Sequence, residues 1–128
     1  MSSQKSLRRL GVTLALLSAL AAVMALSASA APTKGNPAAG KAIFASKCVA
    51  CHKADGSGGV KLTGNPTPNW KDKKRMADPK FNDAYLRDCI TNGKVKSGMV
   101  AWGKTGQLKP QQIEDLIAYI KTTFKPAK

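Results

Sequence analysis

The chain has 128 residues, with 21 Lys and Arg against 7 Asp and Glu and a formal charge of +14. A chain this short has room for one small domain and excludes a multidomain enzyme. Apolar residues recur in phased blocks, which argues against disorder, and the lack of internal self-similarity excludes a repeat architecture.

Residues 1–30 read as an address rather than as part of a fold. Met1–Arg9 carries Lys5, Arg8 and Arg9 and no acid, Leu10–Leu26 is almost wholly apolar, and Ala28-Ser29-Ala30 offers small residues to a signal peptidase. That order is the signature of a secretory signal. Its core, Leu14–Leu26, is broken by Ser18 and falls short of the ~20 residues that cross a bilayer comfortably, which argues for cleavage over an uncleaved anchor. Arg8-Arg9 lies between Leu7 and Leu10-Gly11-Val12, a poor context for a twin-arginine motif, which leaves general export. Cleavage near Ala30 predicts a periplasmic domain of residues 31–128 with 18 basic against 7 acidic residues, a charge of +11. In the cytoplasm such a surplus would suggest nucleic acid. Across the membrane it points instead to acidic protein partners, with weak attraction to anionic lipid headgroups. Solubility alone is the plainer reading of the same charge.

The mature sequence opens its first helix at Asn36-Pro37, an N-cap followed by proline at the first helical position. Gly40, Phe44, Cys48 and Cys51 follow at helical spacing and lead into Cys48-Val49-Ala50-Cys51-His52. C-x-x-C-H is the attachment signature of a c-type haem. Cysteines three apart on a helical turn share a face, so both sulfurs can bond the vinyl groups along one haem edge while the adjacent imidazole reaches the iron. The expected cofactor is one haem c, covalent through Cys48 and Cys51, with His52 as a metal ligand. Two other chemistries use these residues. A C-x-x-C redox or disulfide pair belongs in a βαβ context, which these helical and loop-like flanks do not supply. A structural zinc site would recruit Cys48, Cys51, His52 and Cys89, yet adjacent Cys51 and His52 converge awkwardly on one tetrahedral ion.

From His52 to Phe81 the chain is rich in Gly, Pro and Lys, and it is too long for a structureless loop unless it wraps something. A haem is a large apolar object to wrap and would serve as much of the small domain's core. Asp83–Asn92 predicts a second helix burying Leu86, Cys89 and Ile90. Gly93–Gly103 is a glycine-punctuated loop that holds Met99. A third helix opens at Pro110 and buries Ile113, Leu116, Ile117, Ile120 and Phe124. No alternating strand pattern occurs, so the expected fold class is all-α, three or more helices around one haem.

His52 is the only histidine, which rules out two histidine ligands within one subunit. The mature methionines are Met76 and Met99. Met76 follows Lys71-Asp72-Lys73-Lys74-Arg75, a solvated surface with one methionine turned inward. The loop around Met99 can instead lay a soft thioether over the haem's other face, which makes Met99 the favoured second metal ligand.

Together these features resemble the small monohaem c-type cytochromes, with C-x-x-C-H near the N-terminus and a methionine ligand towards the C-terminus. The resemblance covers essentially the whole mature chain. Gly40 and Phe44 match the first-helix glycine and aromatic residue of that family, and Leu116-Ile117-Ala118-Tyr119-Ile120 its last-helix pattern. The resemblance implies that these two helices cross with Gly40 at the contact. Asn65-Pro66-Thr67-Pro68-Asn69-Trp70 resembles the family's proline-rich segment. There a proline carbonyl, here that of Pro66 or Pro68, accepts the proton of the histidine's free ring nitrogen. Two residues depart from the pattern: Val100 follows Met99 where the family often has proline, and Lys53 follows His52 where it often has glycine.

Trp70 and Trp102 are candidate pocket walls with indole N–H groups for the haem propionates, or else plain aromatic packing. Cys89, left over once two cysteines bond haem, reads as a buried inert thiol, with an intermolecular disulfide as the alternative. Lys47 and Lys53 flank the haem motif and Lys94, Lys96 and Lys104 flank Met99, so together they would ring a haem edge lying between those loops. The resemblance implies a monomeric single-electron carrier rather than an enzyme, with transfer through an exposed haem edge. A small-ligand binder or sensor with a labile Met99 competes with it, as does an electron-accepting subunit of an oxidoreductase complex. An exposed apolar patch would favour the subunit, and a lysine-ringed edge without one the free carrier.

Overall fold

The computed structural model describes residues 31–125; residues 1–30, expected from the sequence to be an export signal, lie outside the described residues. Helix α1 (Pro37–Lys47) begins at the expected cap. Asn36 is extended, and its Oδ1 accepts the N–H of Ala38 at 2.9 Å and of Ala39 at 3.4 Å. Pro37 sits where a missing N–H removes no helical bond. The helix turns at Cys48. Its N–H bonds the Phe44 carbonyl (2.9 Å) and its own carbonyl accepts the N–H of His52 (2.8 Å), closing the single turn α2 (Val49–His52).

The glycine-rich segment after α2 folds on itself around Thr67. Thr67 donates its N–H to the Val60 carbonyl (2.8 Å) and accepts from Gly59 (3.0 Å). Its hydroxyl donates to the Cys51 carbonyl (2.8 Å) and accepts the Val60 N–H (3.0 Å). One threonine therefore staples the wrap to the motif helix. The segment then forms a short helix, α3 (Lys73–Ala77), which the sequence does not predict. Asp72 caps it by accepting from Lys74 (3.0 Å) and Arg75 (3.2 Å), and Met76 on it is fully buried.

Helix α4 (Asp83–Asn92) is capped by Asn82, which accepts the Tyr85 N–H at 3.0 Å, and it buries Leu86, Cys89 and Ile90 as expected. A 3-10 turn, Val95–Ser97, precedes Met99. Helix α5 (Pro110–Phe124) buries Ile113, Leu116, Ile117 and Ile120; Phe124 is half-buried, packed at 5.7 Å from Phe44 and 5.3 Å from Trp70. Among the described residues there is no strand, only an isolated bridge between Lys94 and Met99. No helix among them is long and apolar enough to cross a membrane.

Helices α1 and α5 form the principal contact. A Cβ on Gly40 would overlap the Asp115 carbonyl, and one on Gly35 the Glu114 carbonyl, so the two backbones touch directly. Asp115, itself buried, accepts from the Asn36 N–H (2.8 Å) and the Gln111 side chain (3.1 Å), which ties the entry of α1 to α5. Arg87 grips Glu114 with two bonds, 2.6 and 2.8 Å, and fixes α4 on the same helix.

Candidate cofactor site

This scaffold encloses a cavity of about 710 Å³. Its wall is built from α2, the wrap, the apolar face of α4, the Met99 loop, and Leu116 and Ile120 of α5. All eight residues singled out from the sequence line it: Cys48, Cys51, His52, Pro66, Pro68, Trp70, Met99 and Trp102. Met76 does not; it is sealed in the core.

His52 is held from the side. The Trp70 indole stacks on its imidazole with centroids 4.5 Å apart and planes 14° from parallel. Trp70 is itself buried and packed 6.0 Å from Phe44, so it cannot yield. Burial pushes the His52 pKa below its ordinary value, which keeps the ring neutral, the form in which histidine binds metal. Its Nδ1 is buried with no hydrogen-bond partner. The expected bond from this ring to Pro66 or Pro68 is therefore not formed. The Thr67 staple fixes the backbone on either side and brings the Pro68 carbonyl against Gly58, where a Cβ would overlap it.

Cys48 and Cys51 are half-buried and unbonded to each other. Desolvation pushes the Cys48 thiol up to about 11, opposed by the Lys47 ammonium. Among the described residues no group of three or more His, Cys, Asp or Glu is placed to hold a metal ion, so Cys48, Cys51, His52 and Cys89 do not converge as the zinc alternative requires. What the cavity offers is two thiols, one neutral imidazole and one thioether on a largely apolar wall, and this donor set fits a haem.

Cys89 is buried as expected, yet its side chain belongs to the cavity wall, and so do Tyr85 and Arg75. Tyr85 and Cys89 escape the sequence reading because α4 serves the core and the cavity at once, and Arg75 because α3 is too short to show a periodicity. Of the five lysines expected around an edge, Lys47, Lys94 and Lys96 line the cavity, while Lys53 and Lys104 do not. Lys47 lies 5.1 Å from the centroid of the Trp102 ring.

The chain is similar to known proteins over most of its described length. The family profile described as cytochrome c oxidase, cbb3-type, subunit III matches residues 35–120. Cytochrome c6 of Limnospira maxima is 34% identical over 88 residues, covering 67% of this chain and 91% of that protein. The cbb3-type cytochrome c oxidase subunit FixP of Bradyrhizobium sp. (strain ORS 278) is 37% identical over 99 residues, 73% of this chain. The chain spans 30% of the length of FixP.

Proposed function

The chain belongs to the c-type cytochrome family, and from that membership we propose that it is a periplasmic one-electron carrier whose single haem c is bonded through Cys48 and Cys51 and ligated by His52 and Met99. When bound, haem c supplies the one-electron iron couple. The observation that carries the reading is the single cavity onto which Cys48, Cys51, His52 and Met99 all face, while the competing Met76 is sealed away from it.

The chain's own residues have separate tasks. Trp70 restrains the His52 ring by stacking, and burial keeps that ring unprotonated. Met99 contributes a soft sulfur, which favours the reduced state relative to a second nitrogen ligand. Among the described residues Lys47, Arg75, Lys94 and Lys96 line the same cavity and no Asp or Glu does, so an acidic redox partner is drawn to this face.

An ultraviolet–visible spectrum of the haem-loaded protein, ferric and ferrous, with and without carbon monoxide, tests the assignment. The expected result is a low-spin spectrum with the weak far-red ferric band of methionine ligation, unmoved by the gas. A high-spin or gas-shifted spectrum would shift the reading to a small-ligand binder with a labile Met99. No haem bands, from cells able to attach haem, would sink both.

One observation favours a second reading, an electron-accepting subunit of a larger complex. Leu62, Tyr85, Val95 and Val100 are exposed large hydrophobics, and all four belong to the cavity wall. Exposed apolar residues gathered on one face suit a lasting contact. A carrier comes away from its partner as salt rises; a subunit stays bound.

A further inference from the structure

We propose that a seam between two loops, closed by the Thr63 hydroxyl on the Lys96 carbonyl, holds Met99 in place and sets how readily an outside ligand displaces it; this rests on Met99 being the second iron ligand. One side of the seam is residues 62–64 of the wrap, and the other is the loop that ends in Met99. Thr63 Oγ1 donates to the Lys96 carbonyl at 3.1 Å. Gly64, with φ 57°, lies so close beneath the same carbonyl that a Cβ there would overlap it. A Cβ on Gly98 would stand 2.9 Å from the Leu62 Cβ. Among the described residues, the Thr63–Lys96 bond is the only hydrogen bond joining the wrap, residues 53–70, to residues 93–103.

The Met99 loop has a second set of bonds, and their position explains why the seam matters. Lys94 and Met99 exchange N–H to carbonyl bonds of 3.1 and 3.2 Å, and Ser97 and Gly98 close the 3-10 turn between them. These bonds are internal to the loop and travel with it when it swings. At the rear, Gly93 (φ 70°) packs against the backbone of Met99 and Ala101, where a Cβ would stand 2.6 Å from the Met99 carbonyl oxygen and 2.7 Å from the Ala101 nitrogen. That contact forms the pivot. The seam is the part that must break before Met99 can leave. Val100 leaves this loop without the rigid φ that a proline after Met99 would impose, and the seam supplies the restraint from outside.

A ligand that binds only after the loop has opened shows an apparent affinity reduced by the fraction open. Removing a single hydrogen bond raises that fraction by about threefold to tenfold. Thr63→Val deletes the donor and keeps the shape, Thr63→Ser keeps the donor, and Gly64→Ala drives a methyl between the two loops. The test is an imidazole titration of the ferric, haem-loaded full chain, followed through the main haem absorption bands, with the far-red band reporting methionine ligation where Met99 is present. Thr63→Val is expected to bind imidazole about threefold to tenfold more tightly than the unaltered protein. Thr63→Ser should match the unaltered protein, Gly64→Ala should exceed Thr63→Val, and in a Met99→Ala background Thr63→Val should have no effect. If the unaltered protein shows the far-red band but Thr63→Val titrates like it, the seam is overturned and the ligand assignment stands. A Thr63→Val effect that persists undiminished without Met99 also overturns the seam. Absence of the band in the unaltered protein overturns the ligand assignment, and the seam falls with it.

Discussion

Lys53 takes φ 60° and ψ 155° immediately after His52, and among the described residues it is the only non-glycine residue with positive φ. Its N–H still bonds the Val49 carbonyl at 2.8 Å, so the chain is obliged to make this turn to leave α2. The sequence marks Lys53 as a departure from a family that often has glycine here, and the backbone supplies the reason for the glycine. A side chain in this region costs about 1–3 kcal/mol, whereas glycine adds roughly 0.5–1 kcal/mol of chain entropy to be lost on folding. Lys53→Gly is therefore expected to stabilise the haem-loaded protein by about 1 kcal/mol, a rise in Tm of about 4–8 °C for a domain of this size. Thermal unfolding followed by circular dichroism checks this, and an unchanged or lower Tm would remove strain at Lys53 from the account. The neighbouring proline carbonyls show the limit of residue-level reading. Pro66 and Pro68 are legible as cavity wall, but the direction of their carbonyls is decided by the bonds that Thr67 makes to Cys51, Gly59 and Val60, and nothing in the local sequence announces that staple.

At the scale of elements, the helices legible in the sequence are those with both a cap and a repeated apolar face. Asn36-Pro37 announces α1, the Leu86, Cys89 and Ile90 spacing announces α4, and Pro110 with its run of isoleucines announces α5. Helix α3 is too short for periodicity to appear: five residues with one buried, Met76, among lysines and an arginine. Its one signal was Asp72 as a cap. The crossing of α1 and α5 gives the sharpest consequence. At Gly40 the obstacle to a side chain is the Asp115 carbonyl, a backbone group that no rotamer change can move aside. Gly40→Ala gains helix propensity of about 1 kcal/mol, yet must force the two helices apart, an overpacking cost of about 3 kcal/mol or more. The expected net result is a lower urea midpoint than the unaltered protein, and lower than that of Ala45→Gly on the exposed side of the same helix. A stabilised Gly40→Ala would mean that the helices separate freely and that their close approach is incidental.

For the whole molecule, charge and apolar exposure converge on one face. Among the described residues the cavity wall holds Lys47, Arg75, Lys94 and Lys96 and no Asp or Glu, and it also holds the exposed Leu62, Tyr85, Val95 and Val100. The four cations do not count equally. Lys94 is paired with Asp88 at 3.2 Å, and hydrogen bonds from Asn92 and Lys94 hold the Asp88 carboxyl below its usual range, so that site is a local dipole at neutral pH. Lys47, Arg75 and Lys96 make no ion pair among the described residues, so an approaching anion meets their charges in full. Replacing Lys47 and Lys96 by glutamate cancels most of the positive potential at the cavity mouth. Oxidation of the ferrous protein by hexacyanoferrate(III), a small multiply charged anion, should then slow on the order of tenfold at low ionic strength. The difference should shrink as salt is raised, since the screening length falls to about 3 Å at 1 M. Lys41→Glu, on α1 away from the cavity wall, should slow the reaction far less, because it alters net charge without altering the field at the mouth. Stopped-flow rates across a salt series separate the two cases. Equal slowing by Lys41→Glu and by either mouth lysine would mean that the large positive charge acts as a whole and that this face holds no privileged approach.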